Sequence, residues 1–136
     1  MLMTQTTQRT VLIVDDDLGV TETFARLLQL EGYRVRTANN AEAGLNEARM
    51  SPPDAIILDL RMPLVDGVEF LRRLRAHQTN HKPPVAIVTG DYFIDDAVSD
   101  QLRSLGAELK FKPLWLEDLL AIVQTLVVPP PPLTTN

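Results

Sequence analysis

Five side chains stand where short apolar runs end and could do chemistry together: Asp15, Asp16, Asp59, Thr89 and Lys112. Asp15 and Asp16 follow TVLIV, Asp59 follows AIIL, Thr89 follows VAIV, and Lys112 follows AELKF. Runs this short and apolar suit strands buried on both faces of a parallel sheet. Residues just beyond such strands lie on the carboxyl edge of the sheet, where open α/β folds bind ligands. Three carboxylates gathered there need protons or a cation, since two of them about 4 Å apart repel by about 4 kcal/mol at an effective dielectric near 20. An all-oxygen donor set without His or Cys selects a hard ion such as Mg²⁺. Carboxylates, a hard cation, a hydroxyl and an ammonium match the needs of phosphoryl transfer to an aspartate. Cation and lysine neutralise the phosphoryl oxygens, the hydroxyl donates to one of them, and a carboxylate is the nucleophile.

The elements that must bring these residues together follow from periodicity. The first strand is Thr10 to Val14. The helix after it is capped by Asp17, carries Val20, Phe24, Leu27 and Leu28 on one face, and ends at a left-handed Gly32. Tyr33 to Ala38 alternates apolar residues with Arg34 and Arg36, as an edge strand does. Asn39 with Glu42 resembles a capping box for a helix over Ala41 to Met50. After the Ala55 strand and the turn from Met62-Pro63 to Gly67 comes a helix from about Val68 to His77, with Val68, Leu71 and Leu74 inward. The fourth strand is Val85 to Val88, and its helix spans Asp91 to Leu105 with Ile94, Val98, Leu102 and Leu105 inward. The fifth pair is Ala107 to Phe111 and Leu114 to Val127. Strict alternation predicts a doubly wound, five-stranded parallel α/β sheet of order 2-1-3-4-5. The switch point then falls between strands one and three, where Asp15, Asp16 and Asp59 converge.

The chain has 136 residues, enough for one core. We expect one domain over residues 10–127, a loose N-terminal tail over 1–9, and a proline-rich tail or linker start over 128–136. A net charge of −5 argues against nucleic-acid binding by this domain, because phosphate contacts need a basic face. With no cysteine, disulfides, thiol catalysis and thiolate metal sites are excluded. No signal-peptide pattern or membrane-length apolar run is present, so a cytoplasmic monomer or dimer is expected. His77 and His81 fall in the loop before the fourth strand and read as surface residues.

Val14-Asp15-Asp16, Asp59 with Met62-Pro63 and Asp66-Gly67, Thr89-Gly90 and Lys112-Pro113, in this order and each at a strand end, carry a resemblance. Over about Thr10 to Val127 the chain resembles the receiver domain of two-component response regulators, a flavodoxin-like, CheY-like module. The resemblance implies that Asp59 is phosphorylated from a sensor histidine kinase in a Mg²⁺-dependent reaction, with Mn²⁺ an acceptable substitute. Asp16, Asp59 and the backbone carbonyl of Arg61 would bind the metal directly, and Asp15 mainly through water. Thr89 would bind the phosphoryl group and move on activation, Lys112 would pair with it, and Lys112-Pro113 would be cis. The module would act as a switch that catalyses only its own phosphorylation and dephosphorylation. Its output would be contacts with a downstream protein or a second copy on the face of the fourth helix, fifth strand and fifth helix. Trp115 is a candidate contact there, with core packing the even alternative. Pro129 to Asn136 is too short to fold, so a stand-alone switch or the input half of a larger regulator, such as a transcriptional one, is expected.

Leu109 departs from the pattern, since the family usually has an aromatic three residues before the lysine. Tyr92, Phe93 and Phe111 are the candidates for a related switching role. Arg61 and Asp91 border the route to the phosphoryl group and carry opposite charges, which makes them candidates for tuning its lifetime. Two other classes share part of this pattern. A Mg²⁺-dependent phosphohydrolase with an aspartyl nucleophile usually has a general-acid Asp where Arg61 stands, and an inserted cap that this chain lacks. A phosphorylation-independent binding module has no need to keep all five of Asp15, Asp16, Asp59, Thr89 and Lys112.

Overall fold

The computed structural model describes residues 8–76 and 82–127. Five strands alternate with five helices: β1 (Thr10–Val14), α1 (Leu18–Leu30), β2 (Arg34–Ala38), α2 (Ala41–Met50), β3 (Ala55–Asp59), α3 (Gly67–Ala76), β4 (Val85–Thr89), α4 (Asp96–Ser104), β5 (Ala107–Phe111) and α5 (Leu116–Val127). The strands form one sheet in the order β2-β1-β3-β4-β5, all parallel. β3 and β4 are buried along their whole length, whereas β2 at the edge is at least partly exposed at every residue but Ala38.

Successive strand residues point to opposite faces, so each central strand feeds two cores. Leu12, Val14, Ile56, Leu58, Val85 and Ile87 pack with Leu45, Phe70, Leu71 and Leu102 beneath α2, α3 and α4. Val11, Ile13, Ile57 and Val88 pack with Leu28, Leu119 and Val123 beneath α1 and α5. Burying a side chain of this size contributes about 1.5–3 kcal/mol, and the double layer fixes the register that aligns the strand ends.

Helix ends differ from expectation in three places. Asn40, not Asn39, caps α2, its side chain accepting from Ala43 N–H at 2.8 Å. Asn39 instead donates to the Asp15 carbonyl at 3.2 Å and to Thr21 Oγ1 at 3.3 Å. α4 begins at Asp96 instead of Asp91, because Asp95 caps it by accepting from Val98 N–H at 2.9 Å. α5 begins at Leu116 instead of Leu114, where the Asp118 carboxylate accepts from Trp115 N–H at 3.1 Å. Asp17 caps α1 as expected, and Gly32 has a φ of 95°. His77, His81 and the tails over 1–7 and 128–136 lie outside the described residues.

Gly67 opens α3 directly against β3. A Cβ there would lie 2.9 Å from the Asp59 carbonyl oxygen and 3.0 Å from Leu60 Cα, both main-chain atoms with little room to yield. Gly67→Ala is therefore expected to destabilise the fold by about 1–3 kcal/mol, the usual cost of overpacking. Urea denaturation measures this, and an unchanged midpoint would contradict the packing described.

Candidate functional site

Four of the five strands end in a residue of the candidate site or are followed by one, and the flush register brings these residues to one edge. Val14 pairs with Leu58 across β1 and β3, which sets Asp15 and Asp16 beside Asp59. Carboxylate oxygens of Asp15, Asp16 and Asp59 all lie within 4.8 Å of one another. Asp15 and Asp59 are buried and Asp16 is exposed, so the cluster opens to solvent on one side.

Each member is held by the backbone around it. Asp15 N–H donates to the Ala38 carbonyl at 3.1 Å, and its Oδ1 accepts from Asp17 N–H at 2.9 Å. Asp59 is positioned by β3 and by the turn closed by Gly67 N–H donating to the Leu60 carbonyl at 2.9 Å. Lys112 N–H donates to the Thr89 carbonyl at 2.8 Å, tying the segment after β5 to the end of β4. The Lys112–Pro113 peptide is cis. The Lys112 ammonium then reaches Asp15 Oδ2 at 3.1 Å and Asp59 Oδ1 at 3.8 Å. Thr89 is fully buried, and its hydroxyl oxygen accepts from Asp91 N–H at 3.1 Å.

One ammonium faces three carboxylates, and the electrostatics register the excess. Burial pushes the Asp59 carboxyl up to about 6, and the negative charges of Asp15 and Asp16 add to this. The Lys112 charge and a hydrogen bond from Arg61 N–H pull the other way without cancelling it. A buried carboxylate surplus is costly unless a cation compensates it. The donor set is all oxygen and partly open, which fits Mg²⁺ with waters in its remaining positions.

The surrounding residues divide into those that touch this edge and those that do not. The Arg61 guanidinium pairs with Asp91 Oδ2 at 2.9 Å through Nε and 2.5 Å through Nη2, bridging the segments after β3 and β4. Tyr92 stacks on Phe111 with ring centres 5.4 Å apart, and its hydroxyl donates to the Lys112 carbonyl. Leu109, two residues before Phe111 on β5, is partly buried against the α4-side core. Phe93 and Trp115 are exposed by 93% and 69%, which places Trp115 on the surface instead of in the core. Asn39 is a site neighbour that the sequence reading missed by assigning it to the cap of α2, the role Asn40 fills.

The strand order and the acidic edge define a flavodoxin-like α/β protein with a carboxylate centre at its topological switch point. Residues 11–124 match the response regulator receiver domain. Among relatives, the response regulator MprA of Mycobacterium leprae is 37% identical over 86% of this chain and 50% of its own length. The transcriptional regulatory protein PrrA of Mycobacterium tuberculosis is 36% identical over 91% of this chain and 52% of its own. Among solved structures, the chemotaxis protein CheY4 of Vibrio cholerae superposes with a TM-score of 0.80 at 28% identity, covering 88% of this chain and 99% of that one. NtrX of Brucella abortus gives 0.77 at 26% identity, covering 89% of this chain but 27% of that one. The chain belongs to the response regulator receiver domain family, the signalling module of two-component systems. It spans about half the length of the curated relatives it matches. No helix among the described residues is long and apolar enough to cross a membrane.

The Asp59 shift has a measurable consequence. A carboxyl whose pKa is higher in the folded than in the unfolded state makes the folded state the stronger proton binder. Its stabilisation is complete below the unfolded value near 3.8 and is lost as pH rises through about 6. Asp59→Asn removes that loss, so in metal-free buffer the variant should exceed wild type by about 1–2 kcal/mol at pH 7.5, after allowing for water at the open edge. A Tm gain of about 3–8 °C that shrinks as pH falls from 7 to 4 is expected in calorimetry. Equal Tm values across that range would contradict it.

Proposed function

We propose that Asp59 is the phosphoryl acceptor of this receiver domain. The observation carrying the proposal is the placement of its nearly buried carboxylate at the carboxyl edge, with the Lys112 ammonium 3.8 Å away and Asp15 and Asp16 alongside. In the transfer, an Asp59 oxygen attacks the phosphorus of a phosphohistidine. A P–O bond forms, the P–N bond breaks, and the imidazole leaves as the neutral ring after protonation. Lys112 neutralises a phosphoryl oxygen, and the Thr89 hydroxyl donates to another. Reversal by water breaks the same P–O bond and restores the carboxylate with release of inorganic phosphate. Asp16, Asp59 and the Arg61 carbonyl would hold Mg²⁺, with Asp15 acting mainly through water. The metal supplies charge neutralisation for the phosphoryl oxygens.

The downstream contact is proposed on the α4–β5–α5 face, where Phe93, Phe111, Trp115 and Leu116 are exposed. Its occupant would be an effector or a second copy. Relatives twice as long, one of them called a transcriptional regulatory protein, support reading the chain as the input half of such a regulator. The Arg61–Asp91 ion pair would border the route to the phosphoryl group.

Intact mass after incubation with Mg²⁺ and acetyl phosphate, then with a phosphorylated kinase domain, tests the acceptor. One added phosphoryl group that requires both Mg²⁺ and Asp59 is expected, and no gain from either donor would contradict the proposal. Arg61→Asn and Asp91→Ala should each change the half-life of the phosphorylated form by about 2–10-fold, corresponding to no more than about 1.4 kcal/mol at the barrier. Unchanged decay in both would remove them as tuning residues.

A further inference from the structure

The segment between β4 and α4 carries two competing helix starts. Periodicity puts Ile94, Val98, Leu102 and Leu105 on one helical face, and no Gly or Pro interrupts residues 91–105. Ile94, Val98 and Leu105 already pack against the core as that face requires. Yet the helix begins only at Asp96, one turn late. Asp91 and Asp95, four residues apart, are both side chains able to cap a helix. Asp95 holds the observed start through Val98 N–H at 2.9 Å. Asp91 already accepts from Phe93 N–H at 2.9 Å, the bond an N-cap makes to the second residue of its helix. A longer helix capped by Asp91 would also place Asp95 at the end of its first turn, where the helix dipole favours acids.

What opposes the longer helix is local and nameable. Tyr92 is held outward by its stack on Phe111 and by its hydroxyl on the Lys112 carbonyl. The Asp91 carboxylate is also drawn toward Arg61. We propose that α4 has two starts, at Asp91 and at Asp95, and that Tyr92 is the latch that selects the shorter one.

Resting on the proposed phosphorylation, the geometry couples the latch to Asp59. A phosphoryl group adds about 1.5–2 negative charges within two residues of Arg61 and beside the buried Thr89. Both contact Asp91: Arg61 through the ion pair, and Thr89 through its hydroxyl oxygen, which accepts from Asp91 N–H. Drawing both toward the phosphoryl group frees Asp91 to serve as the cap. Residues 92–95 then join α4, Tyr92 leaves Phe111, and the exposed aromatic face changes shape.

The test compares backbone chemical shifts and amide exchange of residues 92–95 in wild type, in Asp95→Ala/Tyr92→Ala, which removes both the stack and the hydroxyl bond, and in that variant with Asp91→Ala added. Helical shifts and exchange slowed about five- to tenfold, the scale of one side-chain cap, are expected in the double variant. Adding Asp91→Ala should reverse both. If residues 92–95 stay non-helical in the double variant, the inference is overturned. Wild type treated with Mg²⁺ and acetyl phosphate should show the same helical shifts once its mass has risen by one phosphoryl group. A phosphorylated protein with residues 92–95 still non-helical overturns the coupling. A protein that gains no mass from acetyl phosphate or from a phosphorylated kinase domain contradicts the acceptor assignment instead, and the variant comparison then decides the two-start inference by itself.

Discussion

Three carboxylates and one ammonium share the carboxyl edge of the sheet, and their imbalance governs everything built around them. Asp59 is held too far out of water for full charge to be cheap, the charges of Asp15 and Asp16 add to the cost, and Lys112 offsets only part of it. The backbone leaves these groups little freedom to relax apart. Asp15 is pinned to the Ala38 carbonyl, Lys112 to the Thr89 carbonyl, and Asp59 sits on a strand buried from end to end. A site strained in this way has a strong affinity for added positive charge and a strong response to added negative charge. Those are the two properties a phosphorylation switch needs.

On the proposed phosphorylation of Asp59, the response would leave the site through residues 89–96. Thr89 is buried and fixed within β4, yet its hydroxyl oxygen bonds the Asp91 N–H, and the Asp91 carboxylate bonds Arg61. Beyond it, Tyr92 spans to the end of β5. The aromatic pair beside the site joins Tyr92 of the β4–α4 segment to Phe111 of β5, while Leu109 is partly buried against the α4-side core. The connection is short and polar at the site, and apolar at the surface.

Much of this was legible in the sequence because it rests on periodicities. Apolar runs of four or five residues ending in Asp, Thr or Lys fix the strand ends, and strict alternation with helices fixes the order 2-1-3-4-5. The opposite charges of Arg61 and Asp91 foretold their pairing. What was misread depends on competition between near-equivalent caps. Asn39 and Asn40 are the same residue type one step apart, and only the tertiary position of the Asp15 carbonyl decides which of them turns inward. Asp91 and Asp95 compete in the same way, with the Tyr92–Phe111 stack settling a choice that local propensity leaves open. Trp115 had even prospects of core or surface, since the first residues before α5 obey no periodicity.

The central claim is that Asp59 holds its proton more tightly than a free carboxyl does, and that a divalent cation bound beside it would displace that proton. Calorimetric titration of Mg²⁺ into the protein in buffers of different ionisation enthalpy counts the protons displaced on binding. With the Asp59 carboxyl pushed up to about 6, binding at pH 6 should release about half a proton and binding at pH 8 almost none, and Asp59→Asn should bind weakly without release. Proton release that does not depend on pH, or an Asp59→Asn protein that binds Mg²⁺ as tightly as wild type, would contradict it.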